Sequence, residues 1–213
     1  FHSVCFGQWK NYYPEKKTEK LSALANEKKE TNNFHYNNLF FSAIKQKSLE
    51  NNEESLVLFE KCIKKNPNFI DAYYQASLVC KKLNNILQAR EYSAKAVDFD
   101  RKNIWYLRNY AEVLFLNQEF NESAKAYVDI IELEPNNEHN YYKLADTYIY
   151  SQKYLKAISA YNDLEKKKGI DKMISMQKHK LYLQLNDIKN ATKTLEDLSK
   201  AYPNDIEVLH ILA

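Results

Sequence analysis

The residues able to do covalent or metal chemistry are few and badly spaced for it. Three cysteines occur, Cys5, Cys62 and Cys80, with five histidines, His2, His35, His139, His179 and His210. No histidine has a second ligand at metal-binding spacing, so no zinc site is expected. Two glycines cannot build a phosphate-cradling loop, and no nucleophile motif surrounds any serine. Cys62 and Cys80 fall late on successive helical segments. Antiparallel packing puts such positions at opposite ends, farther apart than the roughly 4.4–6.8 Å between Cα atoms that a disulfide spans. Both are expected as free, buried core thiols. Glu132 and Glu134 lie at a helix end and read as solvated or capping carboxylates. Lys166 to Lys168 stand at a helix C-terminus, where positive charge is favoured. No catalytic residue, metal or cofactor is expected, and the chain is not expected to be an enzyme.

The 213 residues are 45% hydrophobic and 28% charged, the composition of a folded chain. Only two glycines and four prolines interrupt it, which predicts an all-α chain with short connections. The balance of 31 basic against 28 acidic residues lacks the basic excess of a nucleic-acid binder. No apolar run reaches the roughly 18–20 residues of a membrane span. Phe1 to Gly7 is mostly apolar and carries Cys5 and Gly7 where a small-residue cleavage site has its minus-three and minus-one positions. This segment reads as a signal-peptide remnant and predicts an exported, periplasmic or envelope-associated protein; an arbitrary start, and a cytoplasmic location, are the alternative.

The organising feature is a repeat. Pro67, Pro135 and Pro203 are separated by 68 residues each time, twice 34. At that period the chain divides without insertion into 36–69, 70–103, 104–137, 138–171 and 172–205. The twentieth column reads Ser55, Ala89, Ser123, Ala157 and Ala191; the eighth reads Ala43, Ser77, Ala111, Ala145 and His179. The seventeenth and twenty-fourth columns are mostly bulky, with Phe120, Tyr154, Phe59, Tyr127 and Tyr161 among them. Within each unit apolar residues recur at three and four, the period of an amphipathic helix. Two helices per unit are expected, touching through the small columns, where a larger side chain would force them apart. A single unit cannot bury its apolar face, so neighbours must stack.

These columns resemble the tetratricopeptide repeat, most fully in Ile104–Asn137 and Glu138–Asp171. The resemblance implies an all-α, α-α superhelix, a solenoid of antiparallel helix pairs. Residues 8–35 resemble no unit and read as a linker or capping helix, with Thr18 to Lys29 as its helical part. Residues 206–213 read as the truncated start of a sixth unit, with Leu209, Leu212 and Ala213 on columns four, seven and eight; the protein is expected to continue beyond them, and the open apolar end favours self-association of the fragment. The fifth unit departs from the pattern at Ser175, Lys178 and His179, so either its first helix rotates or the register slips there.

The resemblance further implies that columns two, five, six, nine and twelve of the first helices line a concave groove. Its candidate partner-binding residues are Phe40, Phe41, Tyr74, Leu78, Trp105, Arg108, Asn109, Tyr142, Lys143, Asp146 and Met176, with Glu112 and Phe115 on the same columns. Aromatic and arginine side chains carry much of the energy of protein interfaces. Trp105 is either a partner anchor or a filler against the preceding helix, and Arg108 and Lys143 could bind a carboxylate. The lysine and asparagine of the family's chaperone-tail clamp are absent, since Phe40 and Ile44 stand there. The expected function is a protein–protein interaction scaffold, binding a peptide or partner subunit, in the bacterial cell envelope. The alternative is the substrate-recruiting segment of a larger enzyme or signalling protein that continues past residue 213.

Overall fold

Five residues with left-handed backbone mark the period in three dimensions. Glu50, Asn84, Gln118, Gln152 and Asn186 have φ between 56° and 62°, and each occupies the fifteenth column of its unit. None is glycine. At Gln118 the amide of the left-handed residue donates to the Phe115 carbonyl at 3.0 Å, and the next amide, Glu119 N–H, donates to the Leu114 carbonyl at 2.9 Å. The same pair of bonds recurs at Gln152 and Lys153 and at Asn186 and Asp187. This is a Schellman ending, which satisfies the last carbonyls of one helix and reverses the chain into the next.

The computed structural model describes residues 36–212, and the readings made on Phe1–Gly7, Cys5, residues 8–35 and Ala213 lie outside them. The described residues form helices α1 (36–48), α2 (Asn52–Lys65), α3 (Ile70–Lys82), α4 (Ile86–Phe99), α5 (Ile104–Leu116), α6 (Phe120–Leu133), α7 (Glu138–Tyr150), α8 (Tyr154–Lys168), α9 (Lys172–Gln184), α10 (Ile188–Ala201) and α11 (Ile206–Leu212). From α3 onward every first helix begins on column one, and every second helix begins on column seventeen. Asn103, Asp171, Asp187 and Asp205 cap α5, α9, α10 and α11 by accepting from backbone amides two or three residues on. α8 runs one residue longer than the other full second helices. Gly169 ends it with φ 87° and ψ −178°, a conformation open to glycine alone.

The helices fall into two compact units, divided between Leu83 and Asn84. The first unit buries Phe59, Cys62, Ala72, Val79 and Cys80. Phe40 packs against Phe59 and Phe69 at ring distances of 5.7 and 4.9 Å. Ser55 Oγ donates to the Ala43 carbonyl at 2.9 Å, so the small twentieth column also supplies a hydrogen bond between helices. Cys62 and Cys80 are unbridged, and burial raises their thiols to about 11 and about 12, the latter helped by Glu60.

The second unit packs α4 to α9 around a core that includes Leu107, Tyr127, Ile130, Tyr141, Leu144, Tyr161 and Leu164, and α9 to α11 around a smaller cluster of Leu195, Leu198, Val208 and Met176. Ser123 Oγ repeats the bond of Ser55, donating to the Ala111 carbonyl at 2.8 Å. The fifth repeat keeps its register: α9 starts at Lys172 and neither rotates nor slips. Ser175 stays on the buried face, 2% exposed, and donates to Glu165 at 3.0 Å. Lys178 pairs with the same carboxylate at 2.6 Å, both side chains largely buried. His179 Nδ1 lies 3.1 Å from the Ala191 carbonyl, and a carbonyl only accepts, so Nδ1 carries the proton.

Candidate functional site

The first helices of the second unit position the site. α5 places Glu112, Phe115 and Leu116 on its last two turns, and α7 places Lys143, Asp146, Thr147 and Tyr150. With Tyr127 of α6 these residues enclose a cavity of about 370 Å3. That volume sits at the small end of the roughly 300–1,000 Å3 of ligand pockets. Tyr150 stands edge-on to Phe115 at 5.0 Å and stacked with Phe120 at 6.1 Å, so one end of the cavity is an aromatic wall. Tyr127 is buried and its hydroxyl proton is held more tightly than usual, by burial and then by the nearby Glu112 charge.

Asp146 is the electrostatically uncomfortable group. Burial pulls its carboxyl pKa upward, and Lys143 and His139 counter this only in part. Neither a hydrogen bond nor an ion pair within the described residues satisfies it. A half-buried carboxylate without a partner is costly, and its cost falls when a cation or donor arrives.

The remaining sequence-derived candidates are distributed over both units. In the first, Phe41 is exposed and meets Phe40 edge-on at 6.0 Å, while Phe40, Tyr74 and Leu78 are half-buried. In the second, Trp105 is 62% exposed, so its indole is no filler in the core. The Arg108 guanidinium lies 5.6 Å from the Trp105 ring centre and donates to Glu134 at 2.7 Å. Glu134 also accepts from Asn137 and Asn140, and these bonds hold its carboxyl below the usual carboxylate range, the Asn137 bond foremost. Arg108 therefore already holds a carboxylate, one supplied by the chain itself. Asn109 is 4% exposed and belongs to the packing. Tyr142 rests half-buried against Tyr161, and Met176 packs on Leu195, Leu198 and Val208. Of the candidates, Lys143 and Asp146 share this cavity, joined there by Glu112 and Phe115. Leu116, Tyr127 and Tyr150 were not read as site residues. The visible signal was a bulky thirteenth column, Leu116 and Tyr150, at the very end of each first helix.

A second cavity, of about 200 Å3, lies at the joint of α8, α9 and α10, lined by Glu165, Ser175, Lys178, Tyr182, Asn190 and Thr194 among others. Its central charges are satisfied by each other. Among the described residues no group of three His, Cys, Asp or Glu could hold a metal ion. No described helix is long and apolar enough to cross a membrane.

Comparison with known proteins agrees with this architecture. Residues 70–103 match the family model of the tetratricopeptide repeat, one unit before the two whose columns are fullest. No curated protein matches the chain in sequence. Among solved structures, a MamA protein is similar at TM-score 0.65 and 18% identity, covering 80% of this chain and 96% of that one. MamA from Desulfovibrio magneticus RS-1, from residue 41 to its end, is similar at TM-score 0.63 and 13% identity, covering 80% and 97%. YrrB, a TPR protein with an unusual peptide-binding site, is similar at TM-score 0.63 and 16% identity, covering 81% and 89%. At such identities the likeness concerns the fold. The described helix pairs are thus similar to tetratricopeptide repeats, in sequence over one unit and in fold over about four fifths of the chain.

Proposed function

We propose that this chain is a non-enzymatic interaction scaffold that takes a peptide or an extended segment of a partner protein on the face built by its first helices. The observation that carries this reading is the cavity between α5 and α7, with aromatic walls and charged groups converging on one space. The rigid frame around it supports the reading. The Asn103 cap of α5 and the Schellman turns that end α5 and α7 fix these helices, so their exposed columns are presented without a large ordering cost. The peptide-binding site of YrrB, a protein of the same fold, is consistent with such a use. Trp105, exposed and stacked under Arg108 on the first turn of α5, extends the recognition surface along the helix. An envelope setting belongs to the same proposal and rests on the apolar character of Phe1–Gly7. Separation of periplasmic from cytoplasmic protein in the native cell tests it; recovery only in the cytoplasm counts against it.

Selection of a random peptide display library on the folded chain tests the binding role. Enriched peptides are expected, with affinity reduced roughly tenfold or more by Tyr150→Ala, as for a central aromatic anchor. Circular dichroism confirms that the variant is folded. Failure to enrich any peptide, or undiminished binding to Tyr150→Ala, contradicts the reading.

A further inference from the structure

Resting on the peptide-face reading above, we infer that the α5–α7 cavity is a receptor for a cationic side chain, a lysine or arginine of the bound segment. Three observations converge on this occupant. The cavity is lined by two carboxylates, Glu112 and Asp146, against one ammonium, Lys143. Asp146 has no hydrogen bond or ion pair of its own among the described residues. The surrounding walls are the rings of Phe115, Tyr127 and Tyr150, whose π faces attract a cation and whose carbon edges suit the methylene stem of lysine.

The other side-chain chemistries fit less well. An anionic side chain would meet both carboxylates across a partly desolvated space and find Lys143 alone in its favour. A purely apolar side chain would fill the aromatic end but leave Asp146 without a partner and with less water. A cation satisfies Asp146 and exchanges its own hydration for carboxylate and ring contacts. Lys143 does not pre-empt this role, because its flexible four-carbon stem lets the ammonium move toward solvent as the incoming cation enters. The polarity is the reverse of an arrangement in which basic groove residues hold an acidic tail.

The proposal assigns Asp146 a binding task that runs against stability, and this separates it from a structural role. Asp146→Asn removes the desolvated charge and keeps the shape. The folded chain is expected to melt at a higher temperature at neutral pH, while its preference for basic peptides falls. A residue kept for the fold would show the opposite on melting.

The direct test selects a random decapeptide display library on the wild-type chain and on Asp146→Asn in parallel. The wild-type pool is expected to carry lysine or arginine at one fixed position, and the Asp146→Asn pool to lose that bias. In a synthetic peptide from the wild-type pool, replacing the basic residue by norleucine is expected to weaken binding roughly tenfold or more. Binding is also expected to weaken as pH falls through the raised pKa of Asp146, since the protonated carboxyl no longer attracts the cation. An enriched pool with no basic position, a pool biased to acidic residues, or a basic bias retained by Asp146→Asn overturns the cation receptor while leaving the peptide face intact. No enrichment at all overturns the peptide face, and the cation receptor with it.

Discussion

The joint between the third and fourth repeats and the joint between the fourth and fifth share a backbone and oppose each other in chemistry. In the first, Ile131 at column twenty-eight of one unit packs against the apolar core to which Tyr141 and Leu144, at columns four and seven of the next, belong. In the second, the same three columns hold Glu165, Ser175 and Lys178, bound to one another by a 2.6 Å ion pair and a 3.0 Å hydrogen bond. The helices nevertheless begin on the same columns in both. Registration thus comes from what the joints have in common: left-handed turns at column fifteen and close packing of columns eight and twenty. The columns between repeats are free to be apolar or ionic, provided they change together.

The comparison breaks most sharply where one member of the ionic joint is removed. Lys178→Met leaves Glu165 buried with only Ser175 to answer its charge. A loss of about 3 kcal/mol is expected in urea unfolding. Converting the whole joint, with Glu165→Leu, Ser175→Ala and Lys178→Leu together, is expected to restore stability to wild type or slightly above. A triple variant as weak as the single one would show that the ionic joint does more than substitute for an apolar one.

Next in size is an exchange across the small columns. Ala145→His places in the fourth repeat the residue that the fifth tolerates at column eight. It is expected to cost about 2 kcal/mol through overpacking against Ala157. His179→Ala in the fifth should cost only about 1 kcal/mol, the worth of its bond to the Ala191 carbonyl. Paired thermal melts of the two variants measure the difference.

Smaller effects come from the turns. Gly169→Ala meets no atom within 4 Å of the added carbon, so its expected cost of about 1–2 kcal/mol is that of φ 87° alone. Gln118→Gly and Gln152→Gly relieve left-handed strain and are each expected to gain up to about 1 kcal/mol. Calorimetric melting distinguishes these opposite signs.

The smallest effect concerns pH. Because the Asp146 carboxyl is raised by burial in the fold, the ionised form disfavours folding. Stability is expected to decline as pH rises between its ordinary pKa and its raised one, and the cost persists at neutral pH. Asp146→Asn should flatten that part of the pH profile of melting temperature.

These contrasts also explain what was legible in the sequence. The period of 34 placed helix starts at Ile70, Ile104, Glu138, Lys172 and Ile206, because small and bulky columns repeat with the helical phase. The fifteenth column escaped notice, since Glu50, Asn84, Gln118, Gln152 and Asn186 share a backbone conformation but no common side-chain chemistry. The ionic joint was visible only as two polar residues out of place. Their partner Glu165 lies in the preceding unit, and a pair needs both members to be recognised. Arg108 was read as open to a ligand for the same reason, Glu134 being 26 residues away. Asp146 was placed on the exposed face by its column, but its lack of a partner is a three-dimensional fact.

The central claim is that a peptide lies across α5 and α7 with its anchor beside Asp146. A library-selected peptide carrying a photoreactive residue next to its anchor position, cross-linked to the chain and mapped by mass spectrometry, tests this most directly. Attachment to residues of α5 and α7 around Phe115, Asp146 and Tyr150 is the predicted result. Attachment to the second helices α6 and α8, or to sites scattered along the chain, would contradict it.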